Sequence, residues 1–303
     1  MEYLHIIIVT LIFWIIYKIL SIIYKTFIRK PFNLLERYGS DSWVLVTGAT
    51  DGIGKEFCEQ FAKLGFNIIL VSRNEEKLQI TKNEIIQKYP NVKAIHIQFD
   101  FSKQTHTEDF DKTFRGLSDQ YDISVLINNV GFAVGLPFKY IETKQISEMV
   151  NINCMSQPLL TSIFIKGLIS RKNRSAVIDL SSISSLMPIP KLSVYAATKV
   201  FNNYVTRALA EELKGENIDF LSVKPAFVAS NMSQKKADGY YVITPEQCVT
   251  GVLRDLGHET ETFGHWTHKL QGFFFRMMYV FIKSGLFNWD RKSQRNSNRN
   301  KIK

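Results

Sequence analysis

Trp43-Val44-Leu45-Val46-Thr47-Gly48-Ala49-Thr50-Asp51-Gly52-Ile53-Gly54 is the stretch that decides the fold. Its first five residues are mostly apolar without alternation, the pattern of a strand buried on both faces in a parallel sheet. Three glycines follow at G-x-x-x-G-x-G spacing, and an amphipathic helix pattern then runs to about Leu64. Glycines at a strand-to-helix turn let the backbone approach a pyrophosphate at the helix N-terminus, where unpaired N–H groups point outward. Three glycines in a loop mean little by themselves. Between a buried strand and a helix they make Thr47, Gly48, Asp51, Gly52, Ile53 and Gly54 candidates for holding a dinucleotide.

Downstream, a second strand from Asn67 to Val71 ends at Ser72-Arg73-Asn74. A site for NAD calls for an acid about 20 residues past the glycines, to bind the ribose 2′-hydroxyl. Ser72 and Arg73 stand there instead, and a guanidinium matches a 2′-phosphate, so the expected cofactor is NADP(H). The plainer alternative is that Arg73 only balances Glu75 and Glu76. A helix pattern from Glu75 to Lys88 and a strand from Val92 to Phe99 lead to Asp100, where a carboxylate can meet the adenine. Another helix precedes the strand Ile123 to Ile127 and the loop Asn128-Asn129-Val130-Gly131. Alternation of strand and helix marks an α/β, doubly wound parallel sheet, a Rossmann arrangement. No repeat or linker divides residues 41–260, so 31–260 reads as one catalytic domain.

A third stretch carries chemistry. The apolar run Ala176 to Leu180 reads as a strand that delivers Ser182 to its carboxyl end, and a Pro-containing loop then leads to a helix from about Ser193. Tyr195 and Lys199 are four apart on that helix and leave the same face. An ammonium beside a phenol lowers a pKa ordinarily near 10, and a Ser hydroxyl alongside can hold a carbonyl oxygen. A lone Y-x-x-x-K is usually an incidental surface pair; its neighbours must decide.

The net charge of +10 resides at the two ends. Six basic residues and no acid follow Asp290, and Lys18, Lys25, Arg29 and Lys30 face only Glu2 in the first thirty residues, leaving a nearly neutral body. That distribution suits a membrane surface and argues against a nucleic-acid groove. From Ile6 to Tyr24 the chain is almost wholly apolar, nearly the roughly 20 residues that span a bilayer. Basic residues follow the run and no small-residue cleavage site is present, so residues 1–30 read as a membrane anchor with the body on the cytosolic side. The sequons at Asn173 and Asn231 are then expected to stay unmodified. Cys58, Cys154 and Cys248 are three and widely spaced, which makes neither a disulfide framework nor a zinc site. Thr244-Pro245-Glu246 is a helix start. From Leu270 to Phe287 the chain is rich in Phe, Met, Tyr and Ile; within residues 261–303, ahead of a basic tail, it reads as an interfacial helix, against the alternatives of crossing the bilayer or packing over the substrate mouth.

Thr47-Gly-x-x-x-Gly-Ile-Gly54, Asp100, Asn128-Asn129-Val130-Gly131, Asn153, Ser182, Tyr195-x-x-x-Lys199 and Pro225 occur in that order over about residues 43–230. Together they resemble the classical short-chain dehydrogenase/reductase family. The resemblance implies that Tyr195 is the general acid/base and that Lys199 lowers its pKa while holding the nicotinamide ribose. It implies that Ser182 positions the substrate carbonyl and that Asn153 holds a water in a proton relay. It places Asn129 beside the adenosine and Val228 at the cofactor. Three departures stand out: Val130 replaces the usual Ala, Ala226 replaces the Gly that usually follows Pro225, and Asn151 rivals Asn153 for the relay. Ala226 has to do without positive φ.

Within the family, the apolar N-terminus, Met187-Pro-Ile-Pro190 and the Phe-rich C-terminal region resemble the very-long-chain 3-oxoacyl-CoA reductases, a branch that includes 17β-hydroxysteroid dehydrogenases. The resemblance implies NADPH-dependent reduction of a ketone on a lipophilic substrate, an acyl-CoA of fatty acid elongation or else a steroid or retinoid. It also implies an endoplasmic reticulum location and homo-oligomer or elongation-complex partners. Arg299-x-Lys301 resembles a dibasic retrieval signal of that membrane. Lys235 and Lys236 are candidates for a CoA headgroup, against the alternative of a solvated loop. A non-catalytic NADP(H)-binding scaffold on the membrane is the competing class, and it has no need of a proton donor.

Overall fold

β1 (Trp43–Thr47) is buried along its whole length, as an apolar run with a sheet neighbour on each side requires. In the computed structural model, which describes residues 2–283, it is the first of seven parallel strands. The chain begins with α1 (Glu2–Ile23), a π-helical turn over Tyr24–Ile28, and α2 (Leu34–Tyr38). After β1 come α3 (Gly52–Leu64), β2 (Asn67–Ser72), α4 (Glu75–Lys88), β3 (Ala94–Gln98), α5 (Thr107–Phe114), α6 (Leu117–Gln120) and β4 (Ile123–Asn128). The second half runs through α7 (Thr143–Val150), a π-helical turn over Asn151–Met155, α8 (Ser156–Ser170), β5 (Ser175–Leu180), α9 (Ser193–Glu212) and β6 (Ile218–Val223). A short pair, β7 (Phe227–Val228) and β8 (Val242–Ile243), is followed by α10 (Pro245–Asp255), β9 (Glu261–Thr262) and α11 (Trp266–Lys283).

The sheet order is β3-β2-β1-β4-β5-β6-β9, every pair parallel. The direction of winding reverses between β1 and β4, and a doubly wound sheet opens its ligand crevice at that switch, outside the strand carboxyl ends. The expected fold class holds. β3 is shorter than the 92–99 expected, starting at Ala94 and ending at Gln98. β9 pairs with β6 through Ser222↔Glu261 and Val223↔Thr262, so the sheet takes in residues past 260.

One buried cluster joins β1, β4 and β5 to α3 and α10 on one face, with Phe57, Phe61 and Val252 among its members. The opposite face holds Phe99, Phe110, Phe114 and Phe164. Ring centroids there lie 4.9 Å apart for Phe99–Phe114 and 5.0 Å for Phe99–Phe110, so part of the high Phe count fills this layer. α10 starts as expected: Thr244 caps it by accepting from Gln247 N, Gln247 returns the bond, and Pro245 occupies the first turn.

α1 is apolar and long enough to cross a membrane, with the stretch His5–Ile28 qualifying by length and composition. Most of the side chains described along it are exposed. The basic tail, including Arg299 and Lys301, and residues 284–287 lie outside the described residues.

Candidate active site

Thr47 ends β1 and ties the two halves of the crevice together. Its hydroxyl donates to Ile127 O at 3.2 Å and accepts from Asn129 N at 2.9 Å and Val130 N at 3.0 Å. The Asn129 amide donates to Thr47 O at 2.8 Å. Asn129 therefore braces the glycine loop from below, and Val130 fits without disturbing this arrangement. Gly48 and Gly52 have φ of +66° and +52°, conformations that favour glycine. A Cβ on Gly54 would lie 2.2 Å from Gly48 O and 2.4 Å from Asn129 Nδ2, so only glycine lets α3 start this close to the loop.

Asp51 stands at the α3 N-cap position but makes no side-chain cap bond. Its Oδ2 instead accepts from Asn231 N at 3.2 Å, linking the loop to the segment after β7. The first N–H groups of α3 are thereby left for an incoming anion. These are the dimensions a pyrophosphate needs: a glycine cradle, an uncapped helix start and backbone at close approach. Ile53 packs partly buried against the core, and Val228 is buried in β7, beside the loop that follows β6.

At the end of β2, Ser72 Oγ is 3.1 Å from Thr50 Oγ1, and Arg73 is exposed. Arg73, Gln98, Asp100, Lys103 and Gln104 line a hollow of about 290 Å³. Burial pushes the Asp100 carboxyl up, yet the Ser102 hydroxyl and N–H, at 2.7 and 3.0 Å, with Lys103 and Arg73 nearby, bring it below its usual value. It is an anion between two cations, and no carboxylate stands at the Ser72 position.

α9 explains the chemistry. Tyr195, Lys199, Asn202 and Thr206 follow helical spacing, and the last three are buried, a polar stripe where a core-facing helix is ordinarily apolar. The stripe faces the carboxyl end of β5. Lys199 Nζ donates to Leu180 O at 2.7 Å, and Thr206 Oγ1 donates to Asp179 Oδ2 at 2.7 Å. Burial pulls Lys199 down to about 8, with Cys154 and Asp179 opposing it. Asp179, fully buried, is pushed up to about 6 by desolvation and held by Thr206 and Asn128.

Ser182 follows β5 and accepts from Ser184 N at 3.1 Å, which leaves its proton free to be donated. Burial raises the Tyr195 phenol above its ordinary value, and a hydrogen bond with Ser182 works the other way. Lys199 Nζ sits 5.9 Å from the Tyr195 ring centroid while it is engaged with Leu180 O.

Asn153 lies in the π-helical turn between α7 and α8, a feature frequent at functional sites. Its Oδ1 accepts from Phe132 N at 2.8 Å, and its Nδ2 donates to Phe132 O at 2.8 Å and Thr198 Oγ1 at 2.9 Å. Asn153 is buried, whereas Asn151 is partly exposed and 3.5 Å from Ser147 Oγ. Asn153 is thus the one of the two that reaches into the site, and its side-chain polar atoms are bonded to Phe132 and Thr198. A Cβ on Gly131 would meet Asn153 Oδ1 and Lys199 Nζ, each at 3.5 Å, which shows how closely the three converge.

Ala226 avoids positive φ, and its N–H donates to Nδ1 of His268 on α11 at 3.2 Å. No sequence signal pointed to His268, which lies 42 residues away. Thr198 was in principle legible, one residue before Lys199 within the motif.

The short-chain dehydrogenase family model matches residues 42–240, and the chain belongs to that family. Among curated relatives, a very-long-chain 3-oxoacyl-CoA reductase of Coccidioides immitis (strain RS) is 35% identical over 250 residues, 79% of this chain and 71% of the relative. The proteins of that name from Rattus norvegicus and Homo sapiens are 35% and 32% identical, covering 76% and 77% of this chain and 73% and 74% of theirs. Among solved structures, a 7β-hydroxysteroid dehydrogenase superposes with a TM-score of 0.70 at 25% identity, over 80% of this chain and 93% of that one. A short-chain dehydrogenase of Sphingobium yanoikuyae in complex with NADPH gives 0.64 at 23%, covering 71% and 83%, and supports the fold alone. The enzyme class follows: an oxidoreductase acting on a keto or hydroxyl group with a nicotinamide dinucleotide.

Proposed function

We propose that this protein is a membrane-anchored, NADPH-dependent reductase of a 3-oxoacyl-CoA, the keto-reduction step of very-long-chain fatty acid elongation. The observation that carries it is the convergence of Tyr195, Ser182, Lys199 and Asn153 at the carboxyl ends of β4 and β5. NADPH, held by Gly48, Gly52, the α3 N-terminus, Asn129 and Asp100, with Arg73 toward the 2′-phosphate, would supply hydride. Ser182 holds the ketone oxygen with the proton that Ser184 leaves free. Tyr195, kept protonated by burial, donates to that oxygen as charge develops on it. Lys199 keeps a positive charge behind the phenol and replaces the lost phenolic proton through the ribose side of the site. Asn153 fixes Phe132 and Thr198, and with them the wall against which the carbonyl sits.

The names of the relatives and the apolar N-terminal helix favour an acyl-CoA at a membrane, with the body in the cytosol at the endoplasmic reticulum. Lys235 and Lys236 lie in the segment after Asn231 and suit a polyphosphate headgroup. The likeness to a 7β-hydroxysteroid dehydrogenase favours, as second reading, a steroid alcohol dehydrogenase. Full-length protein in detergent, supplied with NADPH and either a long-chain 3-oxoacyl-CoA or estrone, separates the two by loss of absorbance at the NADPH band. Turnover of the acyl-CoA that Tyr195→Phe abolishes supports the first reading; turnover of estrone alone replaces it with the second. No turnover of either leaves the non-catalytic scaffold or a different ketone.

A further inference from the structure

We infer that an ion-pair clamp at the end of α1 holds the catalytic body at a fixed angle to the bilayer and lays one exposed apolar face of α11 on the lipid surface. The inference rests on reading α1 as a membrane span. The clamp begins directly where α1 ends. Arg29 pairs with Asp255 at 2.7 Å and with Glu259, and Lys25 pairs with Glu259 at 2.9 Å. Arg254 donates to Thr26 O at 3.1 Å, and Lys269, the fourth residue of α11, reaches Thr26 Oγ1 at 3.4 Å and Asp255 at 3.6 Å. Phe32 stacks on His258 with centroids 3.9 Å apart. Lys25 and Arg29 follow the apolar run, where basic residues ordinarily serve lipid headgroups; here they serve the protein. The Asp255 side chain is 1% exposed, and such a carboxylate is tolerable only beneath several cations. A flexible tether would not need it.

With Lys269 bound to Thr26, α11 starts at the membrane exit. Trp266, Leu270, Phe273, Met277 and Val280 recur every three or four residues and are all exposed, from 39% at Trp266 to 64% at Val280. Phe274 widens the stripe. The opposite face holds His268 and Gly272 in the body, and Thr267 beside the stripe is buried as well. α11 carries no acidic residue, as a helix against anionic headgroups should. Phe27, at the end of the span, lines the same hollow as Trp266, and Trp266 continues to Tyr240 at 6.2 Å and Tyr241 at 5.1 Å beyond it. Beyond Phe27 the row is Trp and Tyr, aromatics with polar tips, the composition of a membrane interface. It leads from the span to the segment between β7 and β8, which meets the glycine loop where Asn231 N donates to Asp51 Oδ2, so the lipophilic tail of a substrate would enter from the bilayer side.

The test uses the full chain in phosphatidylcholine vesicles, in a Cys154→Ala background because Cys58 and Cys248 are fully buried. Spin labels at Phe274→Cys and Met277→Cys are compared with one at Lys77→Cys on α4. The expected result is several-fold lower collision with an aqueous nickel relaxant, and higher collision with oxygen, at 274 and 277 than at 77. Lys25→Gln/Glu259→Gln is expected to raise the nickel accessibility at 274 several-fold, while sedimentation with washed vesicles is unchanged. Labels as wet as that at 77 on a retained chain overturn this inference alone, and a double variant with unaltered depth overturns the clamp. A chain that washes out of the vesicles overturns the anchor and this inference together. None of these readouts depends on which ketone is reduced.

Discussion

The Ala226 N–H donates to Nδ1 of His268 across 3.2 Å, joining the loop after β6 to the first turn of α11. His268 is fully buried, and desolvation, with His265 nearby, pulls it down to about 4. The neutral ring that accepts this bond is the form the fold demands. With the folded value below the unfolded one near 6.5, the folded state binds fewer protons between the two. Stability is therefore complete above about 6.5 and declines as pH falls toward 4, by about 3 kcal/mol in total. Thermal unfolding from pH 7.5 to 4 is expected to show this slope, and His268→Phe to flatten it. That variant also frees the loop and should raise the KM for the cofactor more than it lowers kcat.

Tyr195→Phe removes the proton donor and leaves the ring in place. Turnover should fall by roughly 10²- to 10⁴-fold, the usual worth of a positioned acid. Dinucleotide affinity, measured by fluorescence titration, should change little.

Lys199 gives a second pH signature. It loses its proton as pH rises through about 8, and the charge behind Tyr195 goes with it. The kcat/KM for reduction should be level below that value and fall above it. Asp179 supports the charged form, so Asp179→Asn should move the falling limb to lower pH. Lys199→Arg, slower throughout, should lack the limb, because a guanidinium stays charged.

Gly54→Ala places a methyl 2.2 Å from Gly48 O. Backbone must move, so we expect a loss of about 1–3 kcal/mol in chemical unfolding, as for overpacked sites, together with weakened dinucleotide binding.

Arg73→Glu places a like charge opposite a 2′-phosphate. NADPH should weaken roughly ten- to hundredfold, the worth of a charge-assisted hydrogen bond, with NADH nearly unaffected. Equal loss for both cofactors in a Kd measurement would remove Arg73 from the phosphate.

The sequence by itself determined the parallel sheet, the glycine turn, the reaction class and the order of Asn153, Ser182, Tyr195 and Lys199. These are local matters: apolar runs of strand length, glycines at one turn, and a four-residue spacing that a helix turns into a shared face. What lay beyond local pattern was decided by the tertiary structure. The bond from Lys199 to Leu180 depends on how α9 lies across β5. The π-helical turn aims Asn153 inward at Phe132 and Thr198 and leaves Asn151 partly exposed. His268 meets Ala226, and Arg29 meets Asp255, only because the folded sheet and its helices bring α10 and α11 back against the loop after β6 and the turn after α1. Such contacts, separated by 42 and 226 residues, carry no periodicity from which a sequence reading can recover them.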